Sequence, residues 1–346
     1  MSQKATPLPF CVLDRVQCVW TWQPEEDNLT FLNGVDGQYF EYVAAAHFEE
    51  LEGENKQRAA AAIKLNYHLS LETLFSFVGA MLQSPRAISA WLLKSNTSDI
   101  RAVAQSVLSG GFDYPLGWSG ISPKMDSKHI SAMVLQYTTW ASDPEDNTIS
   151  NFADVLLRFA GEYLEPNSIT EFNSMKHGFR ARSGGFSLRM GRETTYGVAA
   201  AEKDMQFVGA SKFGSSFPSV VDLSSAAKTE KSLHFRLVDK SLNWSPSHLV
   251  QRTQLVSFFI KNIVNACRFP IRKPNQEISF ERPEFSEGFR DPWKDRLGVY
   301  STSLSLVLDK ENITHYTRSQ IREVMKNVTS KAKTTKTKKE SATKSS

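Results

Sequence analysis

Cysteine is scarce in this chain, since Cys11, Cys18 and Cys267 are the only three in 346 residues. An odd number cannot all pair within one chain, and no two have the short spacing of a zinc-binding motif. A disulfide-stabilised small domain is therefore excluded, and a reducing compartment is favoured. We expect the three side chains to be small, buried apolar groups.

Long apolar runs are also missing. The longest, Leu71 to Leu82, is interrupted by Glu72 and Ser76. A run of this length is too short to span a bilayer and is typical of a buried helix. The first residues lack the basic start and apolar core of a secretory signal. The sequence thus predicts a cytoplasmic protein without membrane association.

Several common catalytic motifs are absent. The chain has no phosphate-binding loop of the form Gly-x-x-x-x-Gly-Lys, no Gly-x-Gly-x-x-Gly after a strand, no Gly-x-Ser-x-Gly and no His-Glu-x-x-His. The usual nucleotide-binding, hydrolase and zinc-protease classes lose support, and no cofactor is expected.

What is present predicts an α+β fold. Apolar and polar residues alternate from Val16 to Trp22, and turn residues at 33–37 precede an apolar stretch, so residues 10–43 are predicted to be strands. From residue 58 onward, apolar residues recur every three or four positions in about five segments, the pattern of a helical bundle. We expect Ser98, Ser127 and Ser168 to begin three of these helices.

The chain divides into four segments on this basis. They are a short acidic β-rich segment (1–57), the helical bundle (58–182), a mixed α/β region (183–328) and a disordered Lys-rich tail (329–346). In the mixed region, alternating residues near 186–190, 233–237 and 300–308 predict strands, and helices are expected after residue 246 and over 317–328.

Charge is unevenly distributed along the chain. The net charge is +4, yet residues 326–346 alone hold seven Lys and one Glu. Residues 1–57 hold ten Asp/Glu against three Lys/Arg, whereas residues 171–300 hold 20 Lys/Arg against 13 Asp/Glu. Either the acidic and basic regions pair with each other, or the basic region contacts phosphate.

The most suggestive polar pattern is Asn173, His177 and Arg180, at positions i, i+4 and i+7. On a helix these three side chains would share one face. Arg can bind a phosphate through its planar guanidinium, His can transfer a proton, and Asn can orient either of them. The alternative is that His177 only interacts with the last carbonyls of its helix.

The pattern Asn173-x-x-x-His177-Gly178 near the end of a bundle helix resembles the HEPN superfamily. The resemblance implies a helical bundle, a dimer through that bundle and metal-independent cleavage of RNA in bacterial stress or defence. Its nuclease members place an Arg directly before the Asn, where this chain has Phe172. Members without the full motif act as structural or binding modules.

A basic run follows the bundle: Lys176, Arg180, Arg182, Arg189 and Arg192 precede Glu193. We interpret Lys176, Arg182, Arg189 and Arg192 as nucleic-acid-binding residues. Between them, Gly184 and Gly185 are expected to let backbone amides approach an anion.

His68 and Glu72 lie one helical turn apart and, with His177, raise the question of a metal site. A hydrogen-bonded pair is the more frequent arrangement, and no metal site is predicted.

The sequence therefore favours a HEPN-like protein that binds RNA, with cleavage left open, as a homodimer through the bundle. The alternative is a non-catalytic helical interaction or dimerisation module.

Overall fold

The computed structural model describes residues 5–113, 124–138, 147–178, 180–195, 198, 200–222, 235–271, 278–294, 300–304 and 316–327. The chain forms two compact units: Met1–Phe217 with Ser241–Ser301, and Pro218–Lys240 with Thr302–Ser346. The first unit contains residues from three of the predicted segments: 1–57, 58–182 and 183–328. The predicted disordered tail lies outside the described residues.

The described helices of the first unit account for most of its structure. They are α1 (Pro24–Asn33), α2 (Tyr39–Phe48), α3 (Lys56–Gln83), α4 (Ile88–Lys94), α5 (Thr97–Ser109), α6 (Ser127–Leu135), α7 (Thr148–Leu164), α8 (Pro166–Lys176) and α9 (Pro246–Arg268). Short 3-10 turns follow α9 and lie over Ser286–Phe289 and Asp291–Trp293.

The N-terminal segment is a hairpin followed by two helices. Strands β1 (Thr6–Val12) and β2 (Arg15–Thr21) pair antiparallel, as the alternation predicts. The strand prediction for the rest of 10–43 is wrong, because α1 and α2 occupy it. Pro24 at the first helical position and three acidic residues in the first turn favour the start of α1. Packing of α2 against α3 and α9 overrides its strand-like composition.

Helix α3 is the centre of the core. The predicted apolar stripe is confirmed, since its six residues are all buried: Ile63, Tyr67, Leu71, Leu74, Val78 and Leu82. The predicted starts of three other helices are wrong by one to three residues. Asn96, Asp126 and Glu165 are the N-caps, because their side-chain oxygens accept from the free backbone N–H groups of the first turn.

Helix α9 packs along α3 and α2, although it lies 64 or more residues beyond the end of the bundle segment. Its buried residues include Leu255, Phe259 and Ile263, which join the same core as the α3 stripe. Buried apolar surface along both helices stabilises this arrangement, at roughly 25 cal/mol per Å² removed from water.

Eight further strands are described after residue 111, six of two to five residues and two of nine. Strands β3 (Phe112–Asp113) and β4 (Lys124–Met125) form one pair, and β6 (Ser187–Met190) and β7 (Gln206–Ala210) form another. A four-stranded sheet has the order β10 (Ser301–Leu304), β9 (Phe235–Asn243), β8 (Gly214–Asp222), β5 (Arg182–Ser183). These elements confirm the predicted α+β class.

The second unit contains residues 218–222 of β8, 235–240 of β9, 302–304 of β10 and a helix over 318–327. That helix agrees with the predicted last helix. Val220, Phe235 and Leu237 are exposed.

Among the described helices, none is long and apolar enough to cross a membrane. The cysteine prediction is confirmed for Cys11 and Cys267, which are buried, and is wrong for Cys18, which is exposed on β2.

Candidate functional site

The residues of the HEPN-like motif lie at the end of α8. Asn173 is half-buried within the helix, whereas His177 is exposed and is the first residue after it. Gly178 has a φ of +99°, and the Arg180 N–H donates to the Ser174 carbonyl at 2.7 Å. Because the helix ends at Lys176, the predicted shared helical face does not extend to Arg180. Arg180 is exposed.

Phe172 and Met175 lie on the opposite side of α8 and are buried, as expected. Phe172 packs against the His68 ring of α3, with centroids 5.2 Å apart. Position 172 therefore holds a buried aromatic side chain that packs on α3.

Two of the basic residues after α8, Arg182 and Arg189, lie on short strands. Arg182 lies on β5 opposite Ser216 of β8, and Arg189 lies on β6 directly opposite Phe207 of β7. The ladder between β6 and β7 is irregular after Leu188, so that Val208 has no direct partner. Strand β6 and strand β7 form a two-stranded unit, the β6–β7 ribbon.

The β6–β7 ribbon exposes both charge and apolar surface. The Arg189 side chain is half-exposed, and Phe207 and Met190 are about as exposed, at 60% and 62%. Since Arg189 and Phe207 are cross-strand partners, their side chains project from the same face. The ribbon thus presents a cation beside an aromatic ring to solvent.

Some of the cations already have acidic partners. Arg189 contacts Glu202 at 3.0 Å and Lys176 lies 3.7 Å from Glu72, whereas Arg180 and Arg192 are exposed and form no ion pair with any described residue. Neither Glu202 nor Glu72 belongs to the acidic segment 1–57, so these two contacts do not support pairing of that segment with the basic region 171–300.

The expected anion-binding role of Gly184 and Gly185 is wrong. Their N–H groups donate to the carbonyls of Gly214 (2.9 Å) and Lys212 (3.3 Å), so neither amide is available to an anion. A Cβ at Gly185 would lie 2.2 Å from the Ser211 carbonyl oxygen. Glycine is required there by close packing of two backbones.

Helices α3 and α8 share a buried polar cluster around Glu171. Its carboxylate is fully buried and lies 3.3 Å from Lys64 Nζ and 3.7 Å from His68 Nε2. Ser215 Oγ and Trp244 Nε1 both donate to Glu171 Oε1, the latter at 2.9 Å. One carboxylate thereby connects α3, α8, β8 and the residue that follows β9.

Burial and neighbouring groups have opposite effects on the pKa of Glu171. Burial raises the pKa of Glu171, but Lys64, His68 and Ser215 outweigh it and hold the pKa at about 2. Burial, aided by the Lys64 charge, lowers the pKa of His68 below its ordinary 6.5. Near neutral pH the cluster therefore holds a carboxylate at Glu171 and a neutral imidazole at His68.

A second carboxylate cluster contacts α3 at Tyr67, which lies between Lys64 and His68 in the sequence. Glu162 of α7 accepts hydrogen bonds from Tyr67 and from Trp293 Nε1, and it pairs with Arg252 at 3.1 Å. Arg252 also donates to the Pro292 carbonyl and lies over the Trp293 ring. These contacts attach the 3-10 turns of 286–293 to the helices.

The His68–Glu72 pair predicted from spacing does not form. His68 faces Glu171, and Glu72 pairs with Lys176, while His177 points to solvent. No three His, Cys, Asp or Glu side chains are grouped as metal ligands in the described part of the chain.

Sequence reasoning missed Lys64, Glu171, Ser215 and Trp244. One signal was available: Ser168, Glu171, Phe172 and Met175 follow the i, i+3, i+4, i+7 spacing of a buried helical face. A carboxylate on such a face requires a buried cationic or hydrogen-bonding partner.

Comparison with known proteins gave no relatives. No family model matches the chain, and no curated protein or solved structure is significantly similar to it.

Proposed function

We propose that the chain is an RNA-binding protein that uses the β6–β7 ribbon and the flanking arginines as its contact surface. The observation that carries the proposal is the exposed pair Arg189 and Phe207, which face each other across the two strands. Aromatic rings on a strand surface stack with unpaired bases, and neighbouring arginines contact phosphate or stack with bases.

Charge in the surrounding segment favours the same partner. Residues 176–212 hold seven Lys/Arg against three Asp/Glu, and Arg180 and Arg192 are exposed on either side of β6 in the sequence. RNA is preferred to DNA because of the HEPN resemblance at Asn173, His177 and Gly178. Single-stranded RNA is preferred to a duplex, since a flat exposed ring stacks only with an unpaired base.

Cleavage is a separate part of the proposal. A HEPN-like nuclease would use His177 as the proton-transfer group, with Asn173 or Arg180 beside the phosphate, and a second copy would complete the site. The departure at Phe172 favours binding without cleavage, because the chain lacks the family's arginine at that position.

The test is fluorescence anisotropy of the full chain with a labelled single-stranded RNA of about 20 nucleotides, a length above the site sizes typical of such binders, and with a hairpin RNA of equal length. We expect preferential binding of the single strand and a loss of at least tenfold in affinity in Arg189→Ala with Phe207→Ala. Lys94→Ala, an exposed lysine on α4, is the matched control and should bind like the unchanged protein. Equal binding by the double variant would refute the ribbon as the site.

Two further experiments test the contribution of the Lys-rich tail to RNA binding and test RNA cleavage. A full-length variant with the six lysines of 331–344 replaced by Gln tests the tail. If affinity vanishes in that variant, the ribbon is not the main site. Incubation with RNA beside His177→Ala tests cleavage, because activity that disappears in this variant identifies a nuclease.

A second candidate function is dimerisation through the helical bundle. It is favoured by Tyr39 and Tyr42, two exposed aromatic residues on α2, a helix that precedes the bundle segment and packs against its α3. Sedimentation equilibrium tests it: a dimer that dissociates in Tyr39→Ser with Tyr42→Ser supports this face, and a monomer over the micromolar range contradicts it.

A further inference from the structure

The N-terminal hairpin carries an apolar outer face, which we define as Pro7, Pro9, Val16, Cys18 and Trp20, together with Trp22 just beyond β2. The strand register places Trp20 opposite Pro7 and Cys18 opposite Pro9. Val16, Trp20 and Trp22 are exposed to 69%, 67% and 62%. A contiguous exposed set of this kind on a folded domain indicates an interaction site.

The hairpin is held firmly against the core, so the face cannot turn inward. Phe10 and Val12 on its other side are buried in the core of the first unit. The Gln83 side chain donates to the Leu13 carbonyl and accepts from the Leu13 N–H, and Arg15 pairs with Asp99 at 2.6 Å. The outer face is therefore a fixed platform that needs little ordering on binding.

Acidic groups flank this platform at both ends. Asp14 lies exposed in the hairpin turn, and Glu25, Glu26 and Asp27 are exposed in the first turn of α1, directly after Trp22. Two nearby cations already have acidic partners: Arg15 pairs with Asp99, and Arg86 lies 3.8 Å from Glu25, whose side chain stays 68% exposed. Cations are attracted both by carboxylates and by the faces of indole rings. The occupant that complements the platform is thus cationic, whereas nucleic acid, anionic lipid and a second copy of this hairpin are repelled.

The two edges of the hairpin differ in what they can bind. Pro7 and Pro9 have no N–H groups, so they weaken β1 as a site for another strand. The outer edge of β2 has no partner among the described strands and contains no proline. An extended peptide can therefore add to β2.

We propose that the hairpin docks an extended, Lys/Arg-containing segment of a partner protein along β2. Alternate cationic side chains of the segment lie over Trp20 and Trp22 and pair with Glu25 and Glu26. This surface is separate from the β6–β7 ribbon, so its test is independent of RNA binding.

The experiment titrates the full chain into a fluorescein-labelled peptide of sequence KTKVKTKV, with ETEVETEV as the charge-reversed peptide. We expect the Lys peptide to bind and the Glu peptide not to bind. Trp20→Ala should weaken binding at least tenfold, as for a central aromatic anchor. Glu25→Gln with Glu26→Gln should weaken it and make it less dependent on salt. Phe285→Ala, an equally exposed aromatic residue elsewhere, should change nothing.

Three results would overturn the proposal. The two peptides could bind equally, or Trp20→Ala could bind like the unchanged protein while retaining its circular dichroism spectrum. In the third, sedimentation would show a dimer that Trp20→Ala dissociates, which would make a second copy the occupant. Because the Glu25/Glu26 substitutions lie in an exposed helical turn, they test the proposal even if Trp20→Ala fails to fold.

Discussion

Lys64 Nζ lies 3.3 Å from Glu171 Oε2 in a site where the Glu171 side chain has no contact with solvent. Each charge would be strongly destabilising without the other, since burial of an unpaired ion costs several kcal/mol. Helix α8, which carries Asn173, is therefore attached to α3 by this ion pair, and to β8 and Trp244 by two hydrogen bonds that Glu171 accepts.

Removal of one partner should be far more damaging than removal of both. Lys64→Met leaves the Glu171 carboxylate buried beside His68 and should reduce the free energy of unfolding by about 3–5 kcal/mol. Lys64→Met combined with Glu171→Gln should recover a large part of that loss, because no net charge then remains in the site. Urea unfolding of both single variants and the double variant measures the coupling. Strict additivity of the two losses would show that the pair does not interact.

Acid should weaken the fold through the same carboxylate. Its pKa is about 2 in the folded chain, below its ordinary 4.5, so the unfolded chain takes up a proton first as pH falls. Stability from this group is present above pH 4.5 and is lost between 4.5 and about 2, with a total on the order of 3 kcal/mol. Glu171→Gln should flatten the dependence of unfolding free energy on pH in that window. A profile parallel to that of the unchanged protein would contradict the assignment.

Replacement of glycine by alanine should change the stability of the fold in opposite directions at two helical positions. A Cβ at Gly79 in α3 would lie 2.5 Å from the buried Trp91 ring, whereas a Cβ at Gly161 in α7 would meet nothing within 4 Å. Gly79→Ala should therefore destabilise the fold by about 1–3 kcal/mol through overpacking. Gly161→Ala should stabilise it by about 0.5–1 kcal/mol, through helix propensity alone. Thermal unfolding of the two variants checks both signs, and a stabilised Gly79→Ala would refute the tight Gly79–Trp91 packing.

Local sequence patterns correctly predicted the helices and strands whose conformation is determined by their own residues. The α3 stripe from Ile63 to Leu82 and the alternation around Trp20 predicted the correct structure, because periodicity reports burial directly. Helix α2 was missed since its residues 39–43 are aromatic and apolar at nearly every position, and only packing against α3 and α9 decides their state.

In the candidate site, too, some features could be predicted from local sequence and others depend on tertiary structure. Exposure of Arg182, Arg189 and Arg192 follows from their density in a polar stretch. That Arg189 faces Phe207, 18 residues later, depends on a strand register that no local pattern specifies. The Glu171 cluster joins residues from 64 to 244, so its composition depends on tertiary packing.

The proposed RNA surface makes separable predictions for charge and stacking. Removing one cation that neutralises a phosphate of a single strand lowers the slope of log affinity against log salt by about 0.7, so Arg180→Ala with Arg192→Ala should reduce it by about 1.4. Phe207→Ala should weaken binding by about 1–3 kcal/mol, the contribution of one stacked base, and leave the slope unchanged. Anisotropy titrations over roughly 50 to 300 mM salt, where such slopes are measured, distinguish the two effects, with Lys94→Ala as control. An unchanged slope in the arginine variant would mean that these side chains do not bind phosphate, even if the protein binds RNA.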